Sequence, residues 1–248
     1  MAKTAAFGTS LAYGIAQVET STIVGTITGD GDARCITTCD GMTGNPITTD
    51  VAVVTGDTPQ AVAVKIAAGL NAVGNITAKF AIASAGATVI LTRLAAAAND
   101  ATMNLDVNNE SCTGLTDAPT SANTRAGAAS TTIASVSNIS GPGLSLDTED
   151  VTTHDSTAAW EEVVGTILRT GEVSLEIVYD PAAATADATT GLVYLLEEKI
   201  YAFFVVTFPD TTAWSFRGYV TSFEPSAPAD GALTASVTIK ISGVPTLA

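Results

Sequence analysis

The sequence predicts a mainly β protein with one flanking helix and a small α+β module set into it. Three observations point there. Polar and apolar residues alternate in the C-terminal half: Glu172, Ser174, Glu176 and Val178 interleave with Val173, Leu175, Ile177 and Tyr179, and Leu233, Ala235, Val237, Ile239 and Ile241 share one side. Hydrophobic residues make up 46% and charged residues only 14% of the chain, a profile of β-rich proteins whose surfaces use small polar side chains. Texture also shifts along the 248 residues. Glu19 to Gly127 contains no Trp or Tyr and only one Phe, Phe80, whereas the remainder holds both tryptophans and all five tyrosines. Residues 18–127 therefore read as an inserted surface module, with 1–17 and 128–248 as one discontinuous domain; the alternative is a tandem N-terminal domain preceded by a short extension.

Within the module, Thr20 to Thr28 and Ala33 to Cys39 read as strands joined by the turn Gly29-Asp30-Gly31-Asp32, and Ile47 to Thr55 as a third. Thr58 followed by Pro59 opens a helix, with Thr58 as N-cap and proline at the first position. Ala61, Val64, Ile66, Ala68 and Leu70 carry it to about Asn71. Phe80 to Ala83, Ala87 to Leu94 and Ala101 to Val107 are further strands.

In the outer domain, Thr131 to Ile139 and Gly171 to Tyr179 are strand-like. Tyr201 to Phe208 is apolar on both faces and reads as a buried strand; Thr212 to Phe223 and Ala232 to Ser242 complete an antiparallel set. The helix falls at Thr189 to Ile200, where Leu192, Leu195, Leu196 and Ile200 make one stripe.

Charge excludes one large class of function. With 25 acids against 10 bases and a formal charge of −15, the chain cannot grip phosphates tightly. No stretch has the roughly 20 mainly apolar residues of a membrane span. The first residues, broken by Thr4, Gly8, Thr9, Ser10 and Gly14, make a poor signal-peptide core, so cytoplasmic synthesis is expected. Cys35, Cys39 and Cys112 are too few and too scattered for a disulfide framework or a metal site, and read as buried reduced thiols. No cofactor and no catalytic set is expected. His154-Asp155-Ser156 lacks a nucleophile elbow, and neighbours on an extended arm point different ways.

Gly141 to Val163 is the most telling segment. It is a polar connection of more than 20 residues, too long for a compact domain to carry without a function. Leu144, Leu146, Asp147, Val151, His154, Trp160 and Val163 are its candidate contact residues, forming an arm ordered against a neighbouring molecule. Trp160 is the anchor, since buried aromatics dominate interfaces. Glu172 and Glu176 lie on the acidic face of the following strand.

The run from Ser137 to Ser156, then AWEEVVGTILRTGEVSLEI (Ala159 to Ile177), the turn Phe208-Pro209-Asp210, and FEPSAP (Phe223 to Pro228) resemble the major tail tube proteins of long-tailed, lambda-like bacteriophages. The start, AKTAAFGTSLAYG, is similar too; 18–127 departs from that pattern. The resemblance implies a tail-tube β-sandwich or barrel with one flanking helix, six copies per ring, and rings stacked into a conduit for DNA ejection. It places Gly141 to Val163 as the arm reaching the next ring, Glu172 and Glu176 as candidates for the lumen, and the protein in the virion tail. Its implied partners are further copies of itself, with tape measure, tail terminator and baseplate proteins; DNA passes without tight binding. The rival reading is a non-enzymatic binding or decoration module, such as a pilus or capsid-type subunit or a binder of glycans or a host surface.

Overall fold

The structure is a computed structural model describing residues 7–118, 120–156 and 160–248. In chain order it runs β1 (Ser10–Ile15), β2 (Val18–Thr22), β3 (Gly31–Thr38), β4 (Ile47–Val53), α1 (Pro59–Asn71), α2 (Gly74–Thr77), β5 (Phe80–Ala85), β6 (Thr88–Arg93), β7 (Asn104–Asn109), β8 (Ala122–Arg125) and β9 (Ala128–Thr132). There follow β10 (Val136–Ser140), β11 (Leu144–Asp150), β12 (Val163–Thr170), β13 (Glu172–Val178), α3 (Leu192–Glu197), β14 (Ala202–Thr207), β15 (Ala213–Ser226), β16 (Thr234–Ile241) and β17 (Thr246–Leu247). The chain divides into two compact units: residues 14–130, and residues up to 13 together with 131–248.

The first unit has two sheets, ordered β5-β6-β2-β8 and β4-β3-β7, with α1 against β4, β5 and β6. Thr58 caps α1, its hydroxyl accepting from the Ala61 N–H at 3.3 Å. Two expectations are corrected here. The Gly29–Asp32 turn does not close a hairpin, because β2 pairs with β6 and β8 while β3 pairs with β4 and β7. Residues 23–30 cross from one sheet to the other, and Ile23 and Ile27 are buried in the core as they do so. The buried stripe of α1 is Val62, Ala63, Ile66, Ala67 and Leu70; Val64 is exposed, a half-turn away from it. Cys35, Cys39 and Cys112 are free and buried, and burial pushes the Cys35 thiol up to about 12.

In the second unit the sheet order is β10-β13-β16-β15-β14-β1-β9, with β17 also on β15. The 14-residue β15 serves two partners: Ala213 to Gly218 pair with β14, and Gly218 to Ser226 with β16. At the changeover a Cβ on Gly218 would lie 2.3 Å from the Lys240 carbonyl oxygen, so only glycine fits; a bulge follows between Val220 and Ser222. A long strand that changes partner at a bulge is how a sheet turns the corner of a sandwich. Val173, Leu175, Ile177, Val237, Ile239, Phe204 and Phe216 make the core, with α3 against β15 through Leu192 and Leu195.

The helix is shorter than the Thr189–Ile200 expected. Asp187 accepts the N–H groups of Thr190, Thr189 and Gly191, tying residues 187–191 into a turn, and Lys199 ends the run at φ 52°. The strand expected over Thr131–Ile139 is broken in two by Ser135, at φ 56°. Tyr201–Phe208 is buried on one side only: Ala202, Phe204 and Val206 are sealed, Phe203 and Val205 half-buried.

Candidate functional site

The arm is not a loop. Leu144–Asp150 and Val163–Thr170 form the two-stranded ladder β11–β12, so the connection expected over Gly141–Val163 is shorter and the projection longer than the sequence suggests. Leu-Ser-Leu-Asp-Thr-Glu-Asp looks like polar linker, yet its backbone groups pair with Val163–Thr170, a strand rich in β-branched and apolar residues. Register shows where the hairpin comes from. Ser140 pairs with Ser174 in the body, and four residues on Leu144 pairs with Thr170, four residues back. The arm is therefore the outer half of one long hairpin whose inner half, β10 with β13, belongs to the sheet. Gly141 marks the junction: its φ is 99°, and a Cβ there would meet the Glu172 carbonyl oxygen at 2.5 Å.

This hairpin cannot bury its own side chains. Two strands have no second layer, and an isolated pair is marginal in water. Leu144, Leu146, Val151, Trp160, Val163, Val164, Ile167 and Leu168 are all exposed, Trp160 by 76% and Leu168 by 78%. They are eight of the seventeen exposed large apolar side chains among the described residues, gathered on about a tenth of the chain. A patch of that kind marks an interaction surface. Arg169 holds Asp147 at 2.6 Å across the ladder, and the Val151 N–H donates to the Glu162 carbonyl at 2.9 Å, extending the pairing toward the tip.

The structure places the expected residues as follows. Leu144, Leu146 and Asp147 lie on β11 and Val163 on β12; Val151 and Trp160 flank the tip, and His154 is exposed in its turn. Ser156 accepts from the Thr153 N–H and forms no dyad with His154. Residues 157–159, part of the quoted motif, lie outside the described residues. Sequence reasoning missed Val164, Ile167 and Leu168. Their signal was legible: apolar side chains at consecutive positions of a strand, with no core on either side.

Glu172 and Glu176 both point away from the core on β13. Their surroundings differ. Glu172 stands opposite Lys240, whose Nζ is 3.2 Å from its carboxylate. Glu176 stands opposite Ser236, which is in turn opposite Glu224, so two acids flank a serine in one cross-strand row. The acidic face thus holds one neutralised end and one that is purely negative.

A family model described as "Lambda phage tail tube protein, TTP" matches residues 115–248, just over half of the chain and the whole stretch that builds the sheet after β1, the arm and α3. The chain belongs to that family. It is a structural component of the virion tail and not an enzyme. Among solved structures, a chain in the virion of a native gene transfer agent particle is similar at 20% identity, over 48% of this chain and 88% of that one, with a TM-score of 0.40. A chain in the tail of an empty particle of that agent, refined with C6 symmetry, gives 20%, 48%, 86% and 0.40. A chain of the six-fold symmetrised anti-feeding prophage baseplate gives 12%, 48%, 84% and 0.38. No curated protein matches.

Proposed function

We propose that this chain forms homohexameric rings that stack into the tail tube, a conduit through which DNA leaves the virion. The observation that carries the proposal is the arm: a structured hairpin in register with the sheet, yet apolar on the outside. Stacking needs a heterologous contact, one patch meeting a different one, and a projecting arm supplies one of the two. Magnitudes favour many arms acting together. A fully buried apolar side chain contributes roughly 1.5–3 kcal/mol, and these are about half covered already, so eight contribute on the order of 6–12 kcal/mol. Association itself costs roughly 4–15 kcal/mol. One arm is therefore about break-even, whereas six arms on a ring share a single loss of rigid-body freedom.

Glu176 and Glu224 are proposed to face the lumen, where carboxylates repel phosphate backbones and let DNA slide; Glu172, held by Lys240, contributes less there. Residues 18–127 are proposed as a surface module outside the tube. The tape measure, tail terminator and baseplate proteins are the proposed partners at the tube's ends, and synthesis takes place in the host cytoplasm. Negative-stain microscopy of purified protein tests the proposal. The full chain is expected to give rings or hollow rods, and a chain with 144–170 replaced by a short turn is expected to give none. Rods from the armless chain would contradict it.

A further inference from the structure

One acid is sealed inside the first unit with no cation to neutralise it. Glu19 of β2 is 3% exposed, and its Oε2 is buried without a hydrogen-bond partner among the described residues, where it also makes no ion pair. It joins the two sheets of that unit through Ser121. The Ser121 Oγ lies 2.8 Å from Glu19 Oε1 and 3.1 Å from Asn104 Oδ1, and it accepts the Leu105 N–H of β7 at 2.9 Å. The Ser121 N–H donates to the same Asn104 atom at 2.7 Å, which fixes that atom as the amide oxygen.

The number of protons available decides the state of the acid. A serine hydroxyl has one hydrogen to give and two lone pairs. The Leu105 N–H takes one lone pair, leaving one hydrogen and one lone pair for two oxygen neighbours. The Asn104 oxygen carries no proton. With Glu19 ionised, Ser121 donates to one of the two, and its other contact is oxygen against oxygen. With Glu19 protonated, the acid donates to Ser121 and Ser121 donates to Asn104, so each contact holds one hydrogen. The unpartnered Oε2 is then a neutral carbonyl oxygen, cheaper to bury than half of a carboxylate.

We propose that Glu19 is a proton-operated latch: its acid form ties β2 to β7 through Ser121, and its ionisation releases the connection 110–121 that leads from β7 to β8. Cys112 and Leu115 of that connection are buried in the core, so release opens the core beside β7. The charged groups on the surrounding elements do not oppose this. Arg93 of β6 and Arg125 of β8 are not paired with Glu19, Asp106 of β7 accepts from Asn108, Glu110 is held by Arg34, and Asp117 accepts from Asn109. Burial pushes the Glu19 carboxyl up, Ser121 and Gln17 act the other way, and the Asp100 charge adds to burial. The latch is therefore closed in acid, and it loosens as pH rises from the ordinary carboxylate range toward the folded pKa of Glu19.

Hydrogen exchange of the full chain, read by mass spectrometry over residues 104–121 and corrected for the intrinsic pH dependence of exchange, tests the latch. In wild type the opening equilibrium is expected to rise about tenfold per pH unit through that window, because the closed form holds one proton more than the open form. Glu19→Gln, whose amide N–H can donate to Ser121 as the acid does, is expected to keep the segment closed with no such slope. Infrared spectra of wild type with isotope-labelled glutamate are expected to retain one carboxylic acid band after the exposed glutamates have ionised. A flat wild-type profile or an equal slope in Glu19→Gln overturns the proposal. So does loss of every acid band within the ordinary glutamate range, and that result decides the matter alone if Glu19→Gln does not fold.

Discussion

Two large apolar residues illustrate how position decides role. Phe204 is sealed in the core, stacked on Phe216 at 5.6 Å; Leu168 is 78% exposed on the arm. Phe204→Ala should cost about 3–5 kcal/mol. Both tryptophans lie in that unit, so fluorescence in a urea titration isolates its transition. Leu168→Ser should leave that titration unchanged within about 0.5 kcal/mol and yet lose assembly. Titratable residues allow two further checks. Asp187 is held down to about 2 because the Thr190 N–H, then those of Thr189 and Gly191, donate to it. Its folded pKa is depressed, so its contribution is present above the ordinary carboxylate range and fades as pH falls toward 2. Asp187→Asn should therefore lower the melting temperature at neutral pH and close the gap to wild type near pH 2. Glu19 is the opposite case. It is 3% exposed, and burial raises its pKa although Ser121 donates to it at 2.8 Å. Its charged form is disfavoured by folding, so Glu19→Gln should raise the melting temperature at pH 7, with the advantage vanishing toward pH 4.

At the scale of elements, what could be read in the sequence tracks how local the cause is. The start of α1 was legible because Thr58-Pro59 is a short-range signal, and β13 and β16 were legible because alternation reports one buried face. The arm was found but misdescribed. Its first strand is apolar only at Leu144 and Leu146, too short an alternation to betray it, and its pairing partner lies about 20 residues away. The partnering of β2 and β3 with different sheets was invisible for a similar reason, since a Gly-Asp turn looks the same in a hairpin and in a crossover. The Lys240 partner of Glu172 comes from a strand 68 residues distant, and no local pattern announces it. Gly141 offers an element-level prediction. Gly141→Ala forces a side chain against the Glu172 carbonyl at a left-handed φ, which should re-aim the arm. Rods should shorten or vanish while the urea transition of the body moves little.

For the molecule as a whole, the excursion from β1 returns as β9, its neighbour in the sheet. The two ends of residues 18–127 are thus close enough for a short linker to join them. A chain lacking about 20–125 is expected to fold and still form tubes, of smaller outer diameter and unchanged bore. Loss of assembly in that folded chain would assign the module a part in stacking. The central claim is that a hairpin with no packing partner among the described residues of its own chain finds one in another copy. Electron cryomicroscopy of the assembled protein tests it most directly. The account predicts Trp160 and Leu168 of each ring buried against the adjacent ring; an assembled tube in which both stay in solvent, or in which the arm lies back on its own sheet, would contradict it.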